Sequence, residues 1–160
     1  MKSAIIYYSY SGNTKKVADI LAAALSKFGP VQQIELIAPD ESKSFFRQCR
    51  RAFYHLRAKI NPVQIDLSDY DLICLGSPVW AFAPAPAVNT YLDLCTGLKG
   101  KVVVLFTTYG SGTGNQRCLK YIQDLLSKKE AKSFNCFSVQ QTKIKDREFV
   151  IAKIKEIMPL

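Results

Sequence analysis

The sequence predicts an α/β fold in which helices cover both faces of a five-stranded parallel sheet with strand order 2-1-3-4-5. Short apolar runs alternate five times with segments that carry apolar residues at helical spacing. Three of these runs are apolar throughout and two are half polar, as expected for three central and two edge strands. The 160 residues, 48% of them hydrophobic, contain no recognisable linker and suit one domain, residues 1–160.

The first half of the chain contains two predicted strand–helix pairs. Residues 4–8 form an apolar strand, and the helical spacing of apolar residues that follows is ended by a Gly-Pro pair. Residues 31–37 form a half-polar strand suited to a sheet edge. Residues 42–60 carry aromatic and aliphatic side chains on one helical face and arginines on another, which predicts a long helix stopped by an Asn-Pro pair.

The second half contains three further pairs. Residues 72–76 and 102–106 are continuously apolar, which predicts strands covered on both faces. A helix follows each of them, and the first of these helices is begun by a Pro-Ala-Pro segment. Residues 134–139 form the second half-polar edge strand, and apolar residues between 150 and 158 mark the last helix.

Unusual loops follow the three central strands. In the predicted strand order, the ligand crevice lies at the carboxyl ends of the first and third strands, with the fourth strand beside them. The loops at these ends are residues 9–15, 77–86 and 107–115. We therefore expect the three loops to converge on one ligand site.

The first loop suits a phosphate group. Its hydroxyl residues, Ser9, Ser11 and Thr14, lie between a strand and a helix N-terminus, where backbone N–H groups and the helix dipole favour an anion. The loop has neither the lysine of a GxxxxGK[ST] motif nor the glycines of GxGxxG, so the nucleoside-triphosphate and dinucleotide fingerprints do not fit. The alternative interpretation is that these side chains only cap the helix.

The second and third loops suit a flat ring. Trp80 and Phe82 stand in the second loop where polar turn residues are usual, and Tyr109 stands among the glycines of the third loop. Aromatic side chains on two sides favour a planar ligand, and flavin mononucleotide (FMN) has both a phosphate and such a ring. The alternatives are that Trp80 and Phe82 pack as a lid on the next helix and that Tyr109 is only interfacial.

Over essentially its whole length, the sequence resembles the flavodoxin family. The segments that carry the resemblance are Tyr8-Ser9-Tyr10-Ser11-Gly12-Asn13-Thr14, Tyr70-Asp71 through Leu75-Gly76-Ser77-Pro78-Val79-Trp80, and Tyr109-Gly110-Ser111-Gly112. The resemblance implies a flavodoxin-like fold with FMN as the cofactor. It implies a phosphate site made by Ser9, Tyr10, Ser11, Gly12, Asn13 and Thr14. It implies an isoalloxazine site bordered on one side by Pro78, Val79, Trp80, Ala81 and Phe82 and on the other by Tyr109, Gly110, Ser111 and Gly112.

Other residue types argue against several classes of protein. The five cysteines are dispersed and form no CxxC motif, so we predict reduced core residues. The single histidine, His55, has no cluster of acids or cysteines beside it, so we predict neither a metal site nor a His-dependent catalytic site. No apolar run approaches the ~20 residues of a membrane span and no signal peptide is recognisable, so a cytoplasmic location is expected.

Much of the net charge of +9 lies in residues 43–59, which contain six cations and no acid. One interpretation of this basic helix is a core-docked helix with a solvated face. The other is a docking patch for an acidic redox partner protein, for an anionic ligand such as NADPH, or for a phosphate-rich surface. Nucleic-acid binding has only the charge in its favour and is the weakest of these hypotheses.

Two departures from the family bear on redox behaviour. Familiar flavodoxins are acidic, whereas this chain is basic and its third loop holds no Asp or Glu, so we expect a less negative potential for full reduction of the flavin. The second loop also lacks glycine, so a peptide flip at Ala81 or Ala83 would carry a conformational cost. We therefore expect poor stabilisation of the one-electron-reduced flavin and a tendency toward two-electron chemistry.

The predicted function is electron transfer by bound FMN between a reductase or NAD(P)H and an acceptor, without a catalytic acid or base from the protein. An NAD(P)H-dependent quinone or flavin reductase would use the same loops. The alternative of another class is a non-redox binding module on the same fold. The chain lacks the acidic cluster of a response-regulator receiver and the Cys-containing phosphate loop of a low-molecular-weight tyrosine phosphatase.

Overall fold

A computed structural model describes residues 1–158 of this protein. The strands in this range are β1 Ser3–Tyr7, β2 Val31–Glu35, β3 Leu72–Trp80, β4 Ala83–Pro84, β5 Val102–Tyr109 and β6 Ser133–Gln140. The α-helices are α1 Asn13–Leu25, α2 Phe45–Phe53, α3 Pro86–Leu94, α4 Asn115–Ser127 and α5 Arg147–Ile157, and short 3₁₀ turns cover Ser26–Phe28 and Gln141–Lys143. None of the helices described here is both long and apolar enough to cross a bilayer.

Five of the strands form a parallel sheet in the order β2-β1-β3-β5-β6. With the two-residue β4 set aside, this is the predicted order 2-1-3-4-5, and the prediction is confirmed. The half-polar strands β2 and β6 lie at the edges, as their patterns indicate. The short β4 was not predicted, and it pairs antiparallel with the end of β3.

The sheet divides the apolar side chains into two cores. Successive residues of β1 point to opposite faces, so Ile5 packs with α1 and α5 whereas Ile6 packs with α2, α3 and α4. All five residues of β1 are buried, and β3 and β5 are buried along most of their length. This burial on both faces explains why the central strands are continuously apolar. The carboxyl ends of these strands lie beneath the loops.

Strands β3 and β5 are longer than the predicted 72–76 and 102–106. Pairing between them continues through Ser77 with Thr107 and Pro78 with Thr108, and β3 ends only at Trp80. Polar residues and a proline make this stretch resemble a loop in sequence. In the structure, however, the backbone of the stretch pairs with the neighbouring strand. Much of the second predicted loop and the start of the third are therefore rigid strand ends.

Helix α2 is shorter than predicted, since it covers Phe45–Phe53 rather than residues 42–60 or the basic segment 43–59. His55 adopts a φ of 51°, in the left-handed region, and ends the helix. Its N–H donates to the Ala52 carbonyl at 2.8 Å, and the N–H of Leu56 donates to the Arg51 carbonyl at 2.9 Å. These two bonds form a Schellman motif, which terminates helices even where apolar periodicity continues.

We expect the stability of the protein to depend on pH because of His55, the residue that ends α2 in the left-handed conformation. Its ring stacks on Tyr121 with a centroid distance of 4.2 Å, and its Nδ1 is buried without a hydrogen-bond partner in residues 1–158. Burial lowers the pKa of His55 from the ordinary 6.5, and the nearby Arg117 and Arg57 lower this pKa further. The unfolded chain therefore takes up the proton first, so stability present above about pH 6.5 is lost as the pH falls through the folded-state pKa.

Urea unfolding at a series of pH values between about 7.5 and about 5.5 tests this prediction. His55→Asn is the matched variant, because asparagine tolerates a positive φ and does not titrate. We expect the unmodified protein to lose more stability than this variant over the interval. Equal losses in the two proteins would show that His55 does not cause the pH dependence.

Candidate functional site

The three predicted loops meet at one cavity of about 510 Å³ at the carboxyl end of the sheet. This volume lies within the range of about 300–1,000 Å³ that is typical of small-molecule sites. The predicted site residues that line it are Tyr10, Ser11, Asn13, Thr14, Pro78, Val79, Trp80, Ala81, Tyr109, Gly110 and Ser111. Four predicted residues, Ser9, Gly12, Phe82 and Gly112, are not among its lining residues.

One end of the cavity is an anion cradle made by the start of α1. Gly12 has a φ of 81° and stands at the N-cap without a side-chain cap. Within residues 1–158, the backbone N–H groups of Ser11–Thr14 have no hydrogen-bond acceptor. Unpaired N–H groups at a helix N-terminus favour a bound anion such as a phosphate, because they need an acceptor and the dipole supplies positive potential.

The hydroxyl residues of this loop have different roles. The Ser9 Oγ accepts a hydrogen bond from the Lys15 N–H at 3.2 Å, so this serine caps the helix. The Thr14 and Thr108 hydroxyls are 2.8 Å apart and share a buried hydrogen bond that ties the first loop to β5. Ser11 is exposed and lines the cavity, so its hydroxyl is available to a ligand.

An aromatic cluster forms one wall of the cavity. Trp80 is only 5% exposed, and its ring packs edge-on against Tyr8 at 5.7 Å, Tyr10 at 5.5 Å and Phe45 at 5.7 Å. The Tyr10 hydroxyl donates to the Lys43 carbonyl at 3.1 Å, which fixes the first loop against the chain before α2. Edge-on packing on several sides holds the indole in one orientation.

The cavity is also lined by four residues that no sequence motif assigned to the site, namely Phe45, Cys49, Thr108 and Gln141. The helical pattern places Phe45 and Cys49 on the apolar face of α2, but such a pattern does not distinguish a core from a cavity wall. Burial raises the pKa of the Cys49 thiol, so this side chain is a neutral part of the wall.

The opposite wall lies at the ends of β5 and β6. Tyr109 is the last residue of β5 and pairs with Gln140, whose side-chain amide donates to the Gly110 carbonyl at 3.3 Å. A Cβ atom on Gly110 would lie 3.2 Å from the side-chain nitrogen of Gln141. The absence of a side chain at Gly110 therefore leaves room for the Gln141 side chain, which comes from the 3₁₀ turn after β6.

A tight hairpin follows Trp80 at the rim of the cavity. Trp80 pairs with Ala83, and the two residues between them have positive φ angles of 46° for Ala81 and 68° for Phe82, as in a type I′ turn. Of the two alanines at which a peptide flip was expected to carry a cost, Ala81 already has a positive φ without a glycine. The Phe82 ring turns away from the cavity and covers Gly114, where a Cβ atom would lie 2.5 Å from it.

The strain in this hairpin predicts that Ala81→Gly stabilises the protein. An L-residue in the left-handed region costs roughly 1–2 kcal/mol, and the glycine variant is relieved of this strain. Part of this gain is lost because glycine makes the unfolded chain more flexible. We expect a gain of about 1 kcal/mol in the free energy of unfolding. Ala83→Gly is the matched control in the extended strand β4, and there we expect a loss of about 1 kcal/mol. If both variants lost stability in urea unfolding, the turn would carry no such strain.

Comparison with known proteins gives the family of this chain. The sequence profile of the flavodoxin family matches residues 2–150. This chain belongs to the flavodoxin family. The family prediction made from the sequence is therefore confirmed, and the cavity lies at the position in the fold where the three family motifs meet.

Solved structures of similar fold include a flavodoxin and two other proteins whose names refer to FMN. A flavoprotein from Lactobacillus acidophilus in complex with FMN has 25% identity and a TM-score of 0.66, over 92% of this chain and 98% of that chain. Flavodoxin 2 from Bacillus cereus has 20% identity and a TM-score of 0.61, over 98% and 99%. The apo form of the NADH:FMN oxidoreductase EMOB has 16% identity and a TM-score of 0.68, over 98% and 86%. Among curated proteins, none matches this chain.

Proposed function

We propose that this protein binds FMN and transfers electrons between a reductase or NAD(P)H and an acceptor. The observation that carries the proposal is a single cavity with an anion cradle at one end and aromatic walls beside it. FMN is the cofactor that the family and the FMN-bound relative from Lactobacillus acidophilus support. Its phosphate and its ring match the two ends of the cavity.

The residues that line the cavity have the chemistry needed to bind FMN. The N–H groups of Ser11–Thr14 and the Ser11 hydroxyl would hold the phosphate, because they lack other acceptors in residues 1–158. The strand end Val79–Trp80 and the segment Tyr109–Gly110 would hold the ring between the two walls. The flavin supplies the electron-transfer chemistry when bound, whereas the protein orients it and limits its contact with water.

An NAD(P)H-dependent quinone or flavin reductase is the second candidate function. The fold shared with the NADH:FMN oxidoreductase EMOB favours it. Within the described part of the chain, residues 1–158, the cavity lining contains no Asp or Glu, so it would not repel the phosphates of a nicotinamide cofactor.

The absorption spectrum of freshly purified protein, followed by addition of FMN, tests the cofactor. Loss of the flavin absorption on mixing with NADPH or NADH alone would favour the reductase, whereas reduction that needs an added flavoprotein reductase would favour the carrier. If the protein did not bind FMN at all, the remaining hypothesis would be a non-redox binding module on this fold.

The acid-free lining also supports the expectation of a less negative potential for full reduction of the flavin. A carboxylate near the ring disfavours negative charge on the flavin, and none of the described lining residues carries one. Ser111→Asp should make this potential more negative, whereas the neutral Ser111→Asn should leave it nearly unchanged. Potentiometric titration of the two variants tests this, and identical potentials would show that charge at this loop has no influence.

A further inference from the structure

The outer face of α2 is an aromatic and basic surface without a partner in residues 1–158. Its residues, spaced three, four and seven apart, lie on the side of the helix opposite the buried Gln48 and Ala52. We call this surface the α2 patch, and it consists of Phe46, Arg47, Arg50, Phe53 and Tyr54.

Large aromatic side chains are unusually exposed in the α2 patch. Phe46 is 79% exposed, Phe53 is 53% exposed and Tyr54 is 64% exposed. Single exposed apolar residues need no explanation, but a contiguous group of them marks an interaction surface. Aromatic residues and arginine are also the residue types most enriched in protein interfaces and their energetic centres.

The charges of the patch remain uncompensated within residues 1–158. Arg51 forms an ion pair with Asp40 at 2.9 Å and Arg57 with Asp93 at 2.7 Å, so two of the six cations in residues 43–59 are neutralised. Arg47 and Arg50, which belong to the patch, have no acidic partner in the described chain. The patch therefore presents positive charge beside exposed rings.

The patch also adjoins the candidate cofactor site. Phe45 and Cys49, on the neighbouring side of the same helix, line the cavity. From Phe46 to Phe53 the patch extends about 10 Å along α2, at the 1.5 Å rise of a helical residue. A molecule seated on it would lie next to the wall that contains Trp80, at the part of the cavity assigned to the flavin ring.

We propose that the α2 patch docks an acidic redox partner protein whose carboxylates surround an apolar centre. This inference rests on the proposed FMN function. Charge complementarity selects the partner, since carboxylates would pair with Arg47 and Arg50 while apolar groups cover Phe46 and Phe53. A second copy of this chain is disfavoured, because two molecules of charge +9 repel each other.

The test uses an acidic plant-type [2Fe–2S] ferredoxin as the probe, and calorimetric titration into the protein without FMN gives its affinity. The charge variant is Arg47→Glu/Arg50→Glu, and the apolar variant is Phe46→Ala/Phe53→Ala. Lys145→Glu/Lys155→Glu is the matched control, because it makes the same change in net charge at exposed residues on the α5 side of the sheet. FMN affinity of every variant is measured separately, so that loss of the cofactor site and loss of docking are distinguishable.

We expect the charge variant to weaken ferredoxin binding at least 10-fold at low ionic strength, with a smaller difference at high salt. The apolar variant should weaken binding at all salt concentrations, and the control should change it less than about threefold. Absence of ferredoxin binding, or equal losses in the charge variant and the control, would overturn the proposal. Patch-dependent binding to phosphatidylserine vesicles without ferredoxin binding, or patch-dependent self-association in sedimentation, would also overturn it.

Discussion

Gly76→Ala is expected to lower the free energy of unfolding by about 3 kcal/mol, at the upper end of the usual cost of overpacking a core. A Cβ atom at Gly76 would lie 2.2 Å from the Cζ atom of Phe106 and 2.4 Å from its Cε2 atom. The Phe106 ring is fully buried and stacks on Phe137 at a centroid distance of 5.8 Å, so it cannot move aside without disturbing the core. The absence of a side chain at Gly76 thus leaves room for the Phe106 ring, which extends from β5 over the neighbouring strand β3.

Urea unfolding of the FMN-free protein measures this loss. Gly112→Ala is the matched control, since a Cβ atom there would lie more than 4 Å from every neighbour among residues 1–158, and it should change stability by less than about 0.5 kcal/mol. Phe106→Leu should partly rescue Gly76→Ala, so that the double variant loses less stability than the sum of the single variants. A loss below about 1 kcal/mol, or strict additivity with Phe106→Leu, would refute the proposed clash.

The strand order was predictable because burial controls the composition of each strand. The apolar runs around Ile5, Cys74 and Val104 are covered on both faces, whereas the polar residues of β2 face solvent at the sheet edge. The positions of the three loops follow from that order, since parallel strands direct their carboxyl ends to one side. The sequence therefore contained enough information to place the candidate site.

The end of α2 and the walls of the cavity were not predictable in the same way. Apolar periodicity continues past His55, but the chain leaves the helix there through a left-handed residue that its sequence does not mark. Phe45 and Phe82 show the same limit. The pattern of apolar residues does not specify that Phe45 faces a ligand cavity or that Phe82 turns away from it to cover Gly114.

Asn13→Asp should reduce the affinity for FMN by about 100-fold, which corresponds to about 2.7 kcal/mol. Asn13 is the first residue of α1 and lines the cavity beside the unpaired N–H groups of the loop. A carboxylate there would repel the FMN phosphate, and unit charges about 4 Å apart near a protein surface interact by ~4 kcal/mol. In the FMN-free protein the same carboxylate should stabilise the helix N-terminus by roughly 0.3–1 kcal/mol.

Riboflavin, which has the ring of FMN but no phosphate, distinguishes this electrostatic effect from a change in shape. Fluorescence titration should show riboflavin binding equally well to the unmodified protein and to Asn13→Asp, because no second negative charge is present. Asn13→Ser, which stays neutral, should keep most of the FMN affinity, and added salt should narrow the difference between the charged variant and the unmodified protein. If Asn13→Asp lowered the affinities for FMN and for riboflavin equally, Asn13 would lie away from the phosphate. The anion cradle at the start of α1 would then need another ligand group.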